Sequence, residues 1–171
     1  PGRMQNTFAN ESFLDELAVA SDFDPLQFRL QHLKDPRGIE LLRHLGRFAK
    51  WEPFEAGSRS ANKSGVFTGR GLAYIHYELV RTYVGAVADV EVNRTSGDIR
   101  VTRFSIVHDC GQIINPDGTR NQIEGSVVQT MSRTLLEEVK FNRSTITSRD
   151  WATYPILTFP KIPEIEIELI S

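Results

Sequence analysis

The sequence has one cysteine, no long apolar run and almost no excess of charge, and each scarcity excludes a class of protein. The single Cys110 excludes an internal disulfide framework and any CxxC metal site within the chain. No stretch approaches the roughly 18 apolar residues that a membrane-spanning helix needs. A formal net charge of −2 over 171 residues does not fit a basic nucleic-acid-binding surface.

Signals for metals and for targeting are also sparse. The chain begins PGRMQNTF, without an initiator methionine or an apolar signal-peptide core, and it ends directly after a strand-like run. We therefore expect a segment that is truncated at both ends, and its compartment stays open. The histidines lack the i, i+4 spacing of a helical metal pair, which argues against a zinc site; they are His32, His44, His76 and His108.

The first fifty residues have helical spacing. One face of a first helix carries Phe13, Leu14, Leu17 and Ala18, which predicts that this face is buried. An Asp-Pro pair predicts the start of a second helix at Pro25, because Asp can cap and Pro suits the first helical position. A third helix is predicted over 36–50. We expect a helical section over residues 1–54.

The rest of the chain predicts a sheet with one long helix. Residues 55–66, rich in Ser, Gly and Asn, predict a linker. The β-branched runs Val84–Asn93 and Asp98–His108 flank a glycine-containing turn, which predicts a hairpin. A helix is predicted over Pro116–Glu138, and alternating Ile and Glu near the C-terminus predict a strand with one solvent-facing side. The predicted class is α+β: an N-terminal helical section, then a mostly antiparallel sheet with one long packed helix, over 67–171.

The stretch Val107–Glu138 has the strand, polar turn and helix pattern of a binding edge. Unpaired N–H groups and the helix dipole at such a helix start suit an anionic ligand. Cys110 could be a nucleophile beside His108, but a buried structural cysteine is the favoured interpretation. Gly125 costs about 1 kcal/mol relative to Ala in a helix. It therefore indicates either a binding site or close packing of the helix on the sheet.

Several blocks of sequence together resemble one family. The block PGRMQNTFANESFLDELA, followed by DPLQFRL, resembles the segment after the "R-x-P-G" loop of the molybdenum hydroxylases. The block from VADVEVNRTSGDIRV to NQIEGSVVQTMSRTLLEEV resembles their second molybdopterin-binding domain, and DWATYPILTFPKIPEIEIELI resembles the stretch before their catalytic loop. The family is that of the xanthine dehydrogenase, aldehyde oxidase and carbon monoxide dehydrogenase large subunits. The sequence is most similar to the bacterial isoquinoline 1-oxidoreductase and nicotinate dehydrogenase type.

The resemblance implies an oxidoreductase that hydroxylates an N-heteroaromatic ring or an aldehyde with oxygen from water. It implies a molybdenum-molybdopterin cofactor, in a dinucleotide form, and iron–sulfur clusters on a small [2Fe-2S] partner subunit. The family's catalytic glutamate lies in a "G-x-G-E" loop, which falls after this sequence, so no catalytic residue and no metal ligand is expected here. The resemblance implies five cofactor-site residues: Gln122 as a hydrogen-bonding contact, Gly2 as the glycine of the "R-x-P-G" loop, and Asn115, Asn121 and Gly125 as shaping residues.

Two other functions stay open. One is a non-catalytic α+β interaction or assembly module that keeps the fold only, and the weaker one is a Cys110-dependent hydrolase. For the cofactor-binding function, we expect the chain alone to be inactive and to bind no cofactor. The helix face at Gln122 and the loop at Gly2 would pack on the rest of the large subunit, so the chain alone is expected to self-associate.

Overall fold

The computed structural model describes residues 2–53, 65–78 and 81–170. Helices and a mostly antiparallel four-stranded sheet confirm the α+β class. Of the predicted linker at 55–66, only Gly65 and Val66 lie within the described residues, and Val66 already begins a strand. The elements in chain order are α1 (Arg3–Ala20), α2 (Pro25–His32), α3 (Pro36–Phe48), β1 (Val66–Tyr77), β2 (Thr82–Asn93), β3 (Ile99–Asp109), α4 (Pro116–Leu135), a 3-10 turn (Phe159–Lys161) and β4 (Glu164–Ile170).

The chain divides into two compact units. The first unit contains the residues up to Ile114 together with those from Ile165 onward, and the second unit contains Asn115–Glu164. Helices α1 to α3 and the whole sheet, apart from the first residue of β4, therefore belong to the first unit. Helix α4 belongs to the second. Among the described residues, no helix is both long enough and apolar enough to span a lipid bilayer.

The predicted starts of the second and third helices are confirmed. Asp24 Oδ1 accepts hydrogen bonds from the backbone N–H groups of Leu26 and Gln27, both at 3.0 Å, and Pro25 occupies the first position of α2. Asp35 caps α3 in the same way, with a proline at the first helical position. These short-range signals succeed because a cap needs only residues within one turn of the chain.

Helix α1 turns acidic side chains inward and buries only part of its predicted apolar face. Ala18 is fully buried and Leu14 is half-buried. Phe13 is 58% exposed and Leu17 is 37% exposed. The buried side instead receives Arg29 of α2, whose side chain is 3% exposed and pairs with Glu11 at 3.0 Å and Asp15 at 2.6 Å. The helical spacing was correct, but an ion cluster decides which side of α1 faces α2.

The sheet has the strand order β1-β2-β3-β4. Strand β2 is antiparallel to both β1 and β3, and its register with β3 shifts between Asp89 and Val90. The predicted hairpin is the β2–β3 pair. Its turn is closed by the backbone bonds from Asn93 N to Asp98 O at 2.9 Å and from Gly97 N to Asn93 O at 2.8 Å.

Helix α3 packs its leucines against one face of this sheet. Leu41, Leu42 and Leu45 are fully buried, in one cluster with Val87 and other residues of the sheet. Gly85 of β2 allows this approach, because a Cβ there would lie 2.9 Å from the Cδ2 atoms of both Leu41 and Leu45. The absence of a side chain on the central strand thus sets how closely the helix can pack.

Strand β4 turns its glutamates toward α3. Glu168 pairs with His44 of α3 at 2.9 Å, and Glu166 lies 3.5 Å from Arg103 of β3. Ile170, on the same side of the strand, packs against the core cluster. The glutamate side that the sequence predicted as solvent-facing is therefore half-buried and ion-paired.

The second unit consists of α4 and a mainly irregular segment. Helix α4 ends at Leu135, three residues before its predicted end, and the N–H groups of Leu136 and Glu137 both bond to Ser132 O. The irregular segment is tied to this end of the helix. Ser132 Oγ accepts from Leu157 N at 3.0 Å, and the Tyr154 hydroxyl donates to Glu137 at 2.9 Å.

Candidate functional site

Asn115 caps the start of α4. Its Oδ1 accepts from Gly118 N at 2.9 Å, and its carbonyl accepts from Thr119 N at 3.0 Å. Pro116 takes the first helical position and Asp117 places a carboxylate in the first turn. The backbone N–H groups at this helix start are therefore partly hydrogen-bonded already, by the Asn115 side chain. The helix start is less favourable to an anionic ligand than the sequence pattern indicated.

One face of α4 is accessible and polar. Gln122, Gly125, Ser126 and Gln129 are all exposed, and their i, i+3, i+4 and i+7 spacing places them on one stripe. The opposite side of the helix is buried, at positions that include Ile123. The accessible stripe thus carries one glutamine amide on each side of Gly125, from Gln122 and Gln129.

Gly125 makes the helix backbone itself accessible. Apart from its chain neighbours and the nearby backbone of α4, no heavy atom of the described residues lies within 4 Å of the place where its Cβ would stand. Close packing between this glycine and the sheet, which belongs to the other unit, stays a prediction. An exposed glycine in the middle of a helix lowers helix stability by about 1 kcal/mol relative to alanine. No packing contact of Gly125 among the described residues offsets this loss.

The other predicted site residues are exposed as well. Asn121 donates weakly to Asp117, at 3.4 Å, on the outer surface of α4. Gly2 lies in the first unit, where it is the N-cap of α1 and has a φ of +87°. Its carbonyl oxygen accepts a hydrogen bond from Asn6 N at 3.0 Å. That left-handed backbone gives a physical reason for glycine at this position. The structure thus groups Asn115, Asn121, Gln122 and Gly125 on α4.

The expectation that Cys110 is buried is wrong, because its side chain is exposed. Strand alternation explains this result. Asp109 takes the inward position at the end of β3 and is 4% exposed, so Cys110 follows it outward into a turn. His108 is held by Thr82, whose Oγ1 lies 3.0 Å from His108 Nε2, and burial lowers the pKa of this histidine.

Sequence reasoning missed an ion pair between Arg37 and Asp109. The two residues are 72 positions apart, and Arg37 Nε donates to Asp109 Oδ2 at 2.6 Å. The only local signal was an Asp two residues before a Gly at a strand end, a pattern typical of a side-chain-stabilised turn. In residues 2–53, 65–78 and 81–170, no group of three or more His, Cys, Asp or Glu side chains could hold a metal ion.

Comparison with known proteins shows which family has this arrangement. Residues 45–163, more than half of the chain, match the family model of the molybdopterin cofactor-binding domain. The chain belongs to this family. Helix α4 and its accessible stripe lie within the matched residues of the molybdopterin cofactor-binding domain, so the match includes the candidate site.

Relatives confirm the resemblance to the molybdenum hydroxylases. The chain is 43% identical over 173 residues to a nicotinate dehydrogenase chain of Pseudomonas putida, a match that covers 98% of this chain and 15% of that protein. It is 32% identical over 171 residues to the beta chain of isoquinoline 1-oxidoreductase from Brevundimonas diminuta, covering 99% of this chain and 21% of that protein. The chain therefore spans about a fifth or less of these relatives.

A solved structure supports the same family. The crystal structure of quinoline 2-oxidoreductase from Pseudomonas putida 86 superposes with a TM-score of 0.51 and 34% sequence identity. The match covers 53% of this chain and 12% of that one.

Proposed function

We propose that this chain forms part of the wall of a molybdenum-cofactor site in an oxidoreductase that hydroxylates N-heteroaromatic rings or aldehydes with oxygen from water. The observation that carries the proposal is the exposed Gln122, one turn before the open space over Gly125, within a molybdopterin cofactor-binding domain. Three relatives are named for nicotinate, isoquinoline and quinoline, which are all N-heteroaromatic compounds. Their names support a ring substrate, whereas other matched relatives are named for aldehydes, so the proposal keeps both substrate classes.

The accessible stripe of α4 fits a pterin. The Gln122 amide can both donate and accept a hydrogen bond, as the edge of a pterin ring requires. Gly125 lets a flat ligand approach the helix backbone without meeting a side chain. When bound, the cofactor supplies the two-electron chemistry at molybdenum, while the protein binds and orients it. Asn115 and Asn121 shape the start of the helix, and Gly2 is a further proposed contact, which rests on the family resemblance alone.

Other parts of the enzyme supply the remaining functions. We expect the catalytic glutamate and the further cofactor contacts on the rest of the large subunit, and the iron–sulfur clusters on a small [2Fe-2S] subunit. The dinucleotide form of the cofactor is part of the same proposal. A non-catalytic assembly module is not favoured, because the relatives are named as dehydrogenases and oxidoreductases.

The test uses the whole gene product that carries this sequence, produced in bacteria supplied with molybdate. Molybdenum is measured by mass spectrometry, the pterin by the fluorescence of its oxidised form, and any nucleotide after acid release. Gln122→Ala should speed cofactor loss during dialysis by roughly two- to tenfold, the effect of one hydrogen bond. The matched control is Gln27→Ala, because Gln27 is an exposed glutamine of α2. Cofactor loss at the parental rate in Gln122→Ala would remove the support for this site.

A further inference from the structure

Arg37 holds both oxygens of the Asp109 carboxylate. Arg37 Nε donates to Oδ2 at 2.6 Å, and Arg37 Nη2 donates to Oδ1 at 2.5 Å. The Asp109 side chain is 6% exposed, and the Arg37 guanidinium also lies 5.0 Å from the centroid of the Tyr83 ring. Such a two-point contact fixes the orientation of the carboxylate as well as its place, because the planar guanidinium matches its geometry.

The same carboxylate holds the turn that follows β3. Asp109 Oδ1 accepts from Gly111 N at 3.0 Å, and the Asp109 carbonyl accepts from the Thr82 hydroxyl at 2.9 Å. Gly111 has a φ of +75°, so the turn uses a conformation that suits glycine. The hydrogen bond from Arg37 is the main cause that holds the pKa of Asp109 below its usual value. The carboxylate therefore stays ionised and remains a strong acceptor for the turn.

This turn lies four residues before the cap of α4. Residues 112–114 connect Gly111 to Asn115, and Ile114 is 83% exposed, so it gives the connection little anchoring. A short connection that starts from a fixed turn has fewer conformations than one that starts from a free turn. Less conformational entropy is then lost when a ligand that contacts Asn115 orders residues 112–114.

We propose that Arg37 is a positioning residue for cofactor binding. Its pairing with Asp109 fixes the Cys110–Gly111 turn and so restrains the segment that leads to Gln122. This inference rests on the proposed function of Gln122. Removal of the pair leaves every proposed cofactor contact in place and acts only through the mobility of the turn.

The experiment compares Arg37→Gln with Arg37→Lys and with a matched control, Arg100→Gln. Arg100 is a suitable control because its side chain is 78% exposed and lies 4.0 Å from its partner carboxylate. The first measurement is hydrogen exchange of residues 110–115 in the whole gene product from cells grown without molybdate. The second is the rate of molybdenum loss from the loaded protein during dialysis.

Arg37→Gln should speed exchange at Gly111 by about tenfold, because a charged hydrogen-bond network that closes the turn is lost. It should also speed molybdenum loss by about threefold or more, as expected for extra ordering on binding. Arg37→Lys should restore part of both effects, since it keeps the charge but not the two-point contact. Arg100→Gln should change neither rate.

Two results would overturn the inference. One is unchanged exchange at Gly111 in Arg37→Gln. The other is faster exchange with molybdenum loss at the parental rate, which would leave Arg37 with a purely structural role. If Arg37→Gln does not fold, Asp109→Asn gives the same comparison, because the amide keeps the side-chain shape and an acceptor for Gly111. Failure of the proposed function is distinguishable, since it appears as normal cofactor retention in Gln122→Ala.

Discussion

The open space over Gly125 leads to a prediction in which stability and function change in opposite directions. Gly125→Ala adds one methyl group where no described heavy atom lies within 4 Å apart from the adjacent residues and the nearby backbone of α4, at a residue without a positive φ. Alanine should therefore stabilise α4 by about 0.8–1 kcal/mol, the difference between the helix propensities of the two residues. In the whole gene product, the same methyl group should speed cofactor loss, because it fills the space that a ligand would use.

Gly118→Ala is the matched control within the same helix. A Cβ at this position would lie 3.0 Å from Asn115 Nδ2 and 3.2 Å from Asn115 Cγ. It would disturb the cap, whose loss costs about 1 kcal/mol and so cancels the gain in helix propensity. We expect no net stabilisation from Gly118→Ala.

The assay is hydrogen exchange of the α4 amides in the chain without cofactor. A gain of about 1 kcal/mol corresponds to roughly fivefold slower exchange where opening of the helix limits the rate. Faster exchange in Gly125→Ala than in the parent chain would refute the open space over this residue. Slower exchange combined with unchanged cofactor loss would instead refute the role of Gly125 in binding.

Three further substitutions and one thiol-labelling experiment test the first unit. Arg29→Ala should cost roughly 3–5 kcal/mol in urea unfolding, because it removes the buried cation that pairs with Glu11, whose side chain is 12% exposed; a loss below about 1 kcal/mol would contradict this. Gly85→Ala should cost about 1–3 kcal/mol, since its methyl group meets two packed leucine side chains, and unchanged stability would show that the leucines can move aside. The pKa of Asp109 is lowered in the folded chain, so its contribution is present above its unfolded value of about 4 and is lost as the pH falls through the folded value. Asp109→Asn should therefore cost about 1–2 kcal/mol at pH 7, allowing for solvent around its half-exposed partner, and less at pH 3; an equal cost at both pH values would contradict the ion pair. Finally, Cys110 should react with a thiol reagent in the native chain nearly as fast as in urea, because it is exposed, and strong protection in the native chain would contradict that exposure.

The sequence predicted those features that depend on neighbours in the chain. The cap at Asp24 and the β2–β3 hairpin each form within a few residues, and both are present. The helical spacing of α4 was also correct, except for its last three residues. Such features need no knowledge of what lies across the fold.

Features set by distant residues could not be predicted in the same way. Whether α1 buries phenylalanine or glutamate depends on Arg29 of another helix, and the exposure of Cys110 depends on Asp109 taking the inward place beside Arg37. At the candidate site, the sequence indicated that Gly125 was unusual, and the exposure of its position on α4 became visible only in the structure. Self-association of the isolated chain stays a prediction. Its apolar exposed residues are consistent with it; they include Phe8, Phe141, Trp151 and Phe159.

The order of the strands has a consequence for how the protein is made. Strand β4 completes the sheet of the first unit beside β3, yet the whole of α4 and its irregular segment are synthesised between these two strands. A ribosome adds about 5–20 residues per second, so β4 is synthesised several seconds after β3. During that interval the backbone edge of β3 is unpaired and able to bind another strand. Chaperones that cover such edges should therefore bind the nascent chain after β3 has emerged and leave it once β4 has paired.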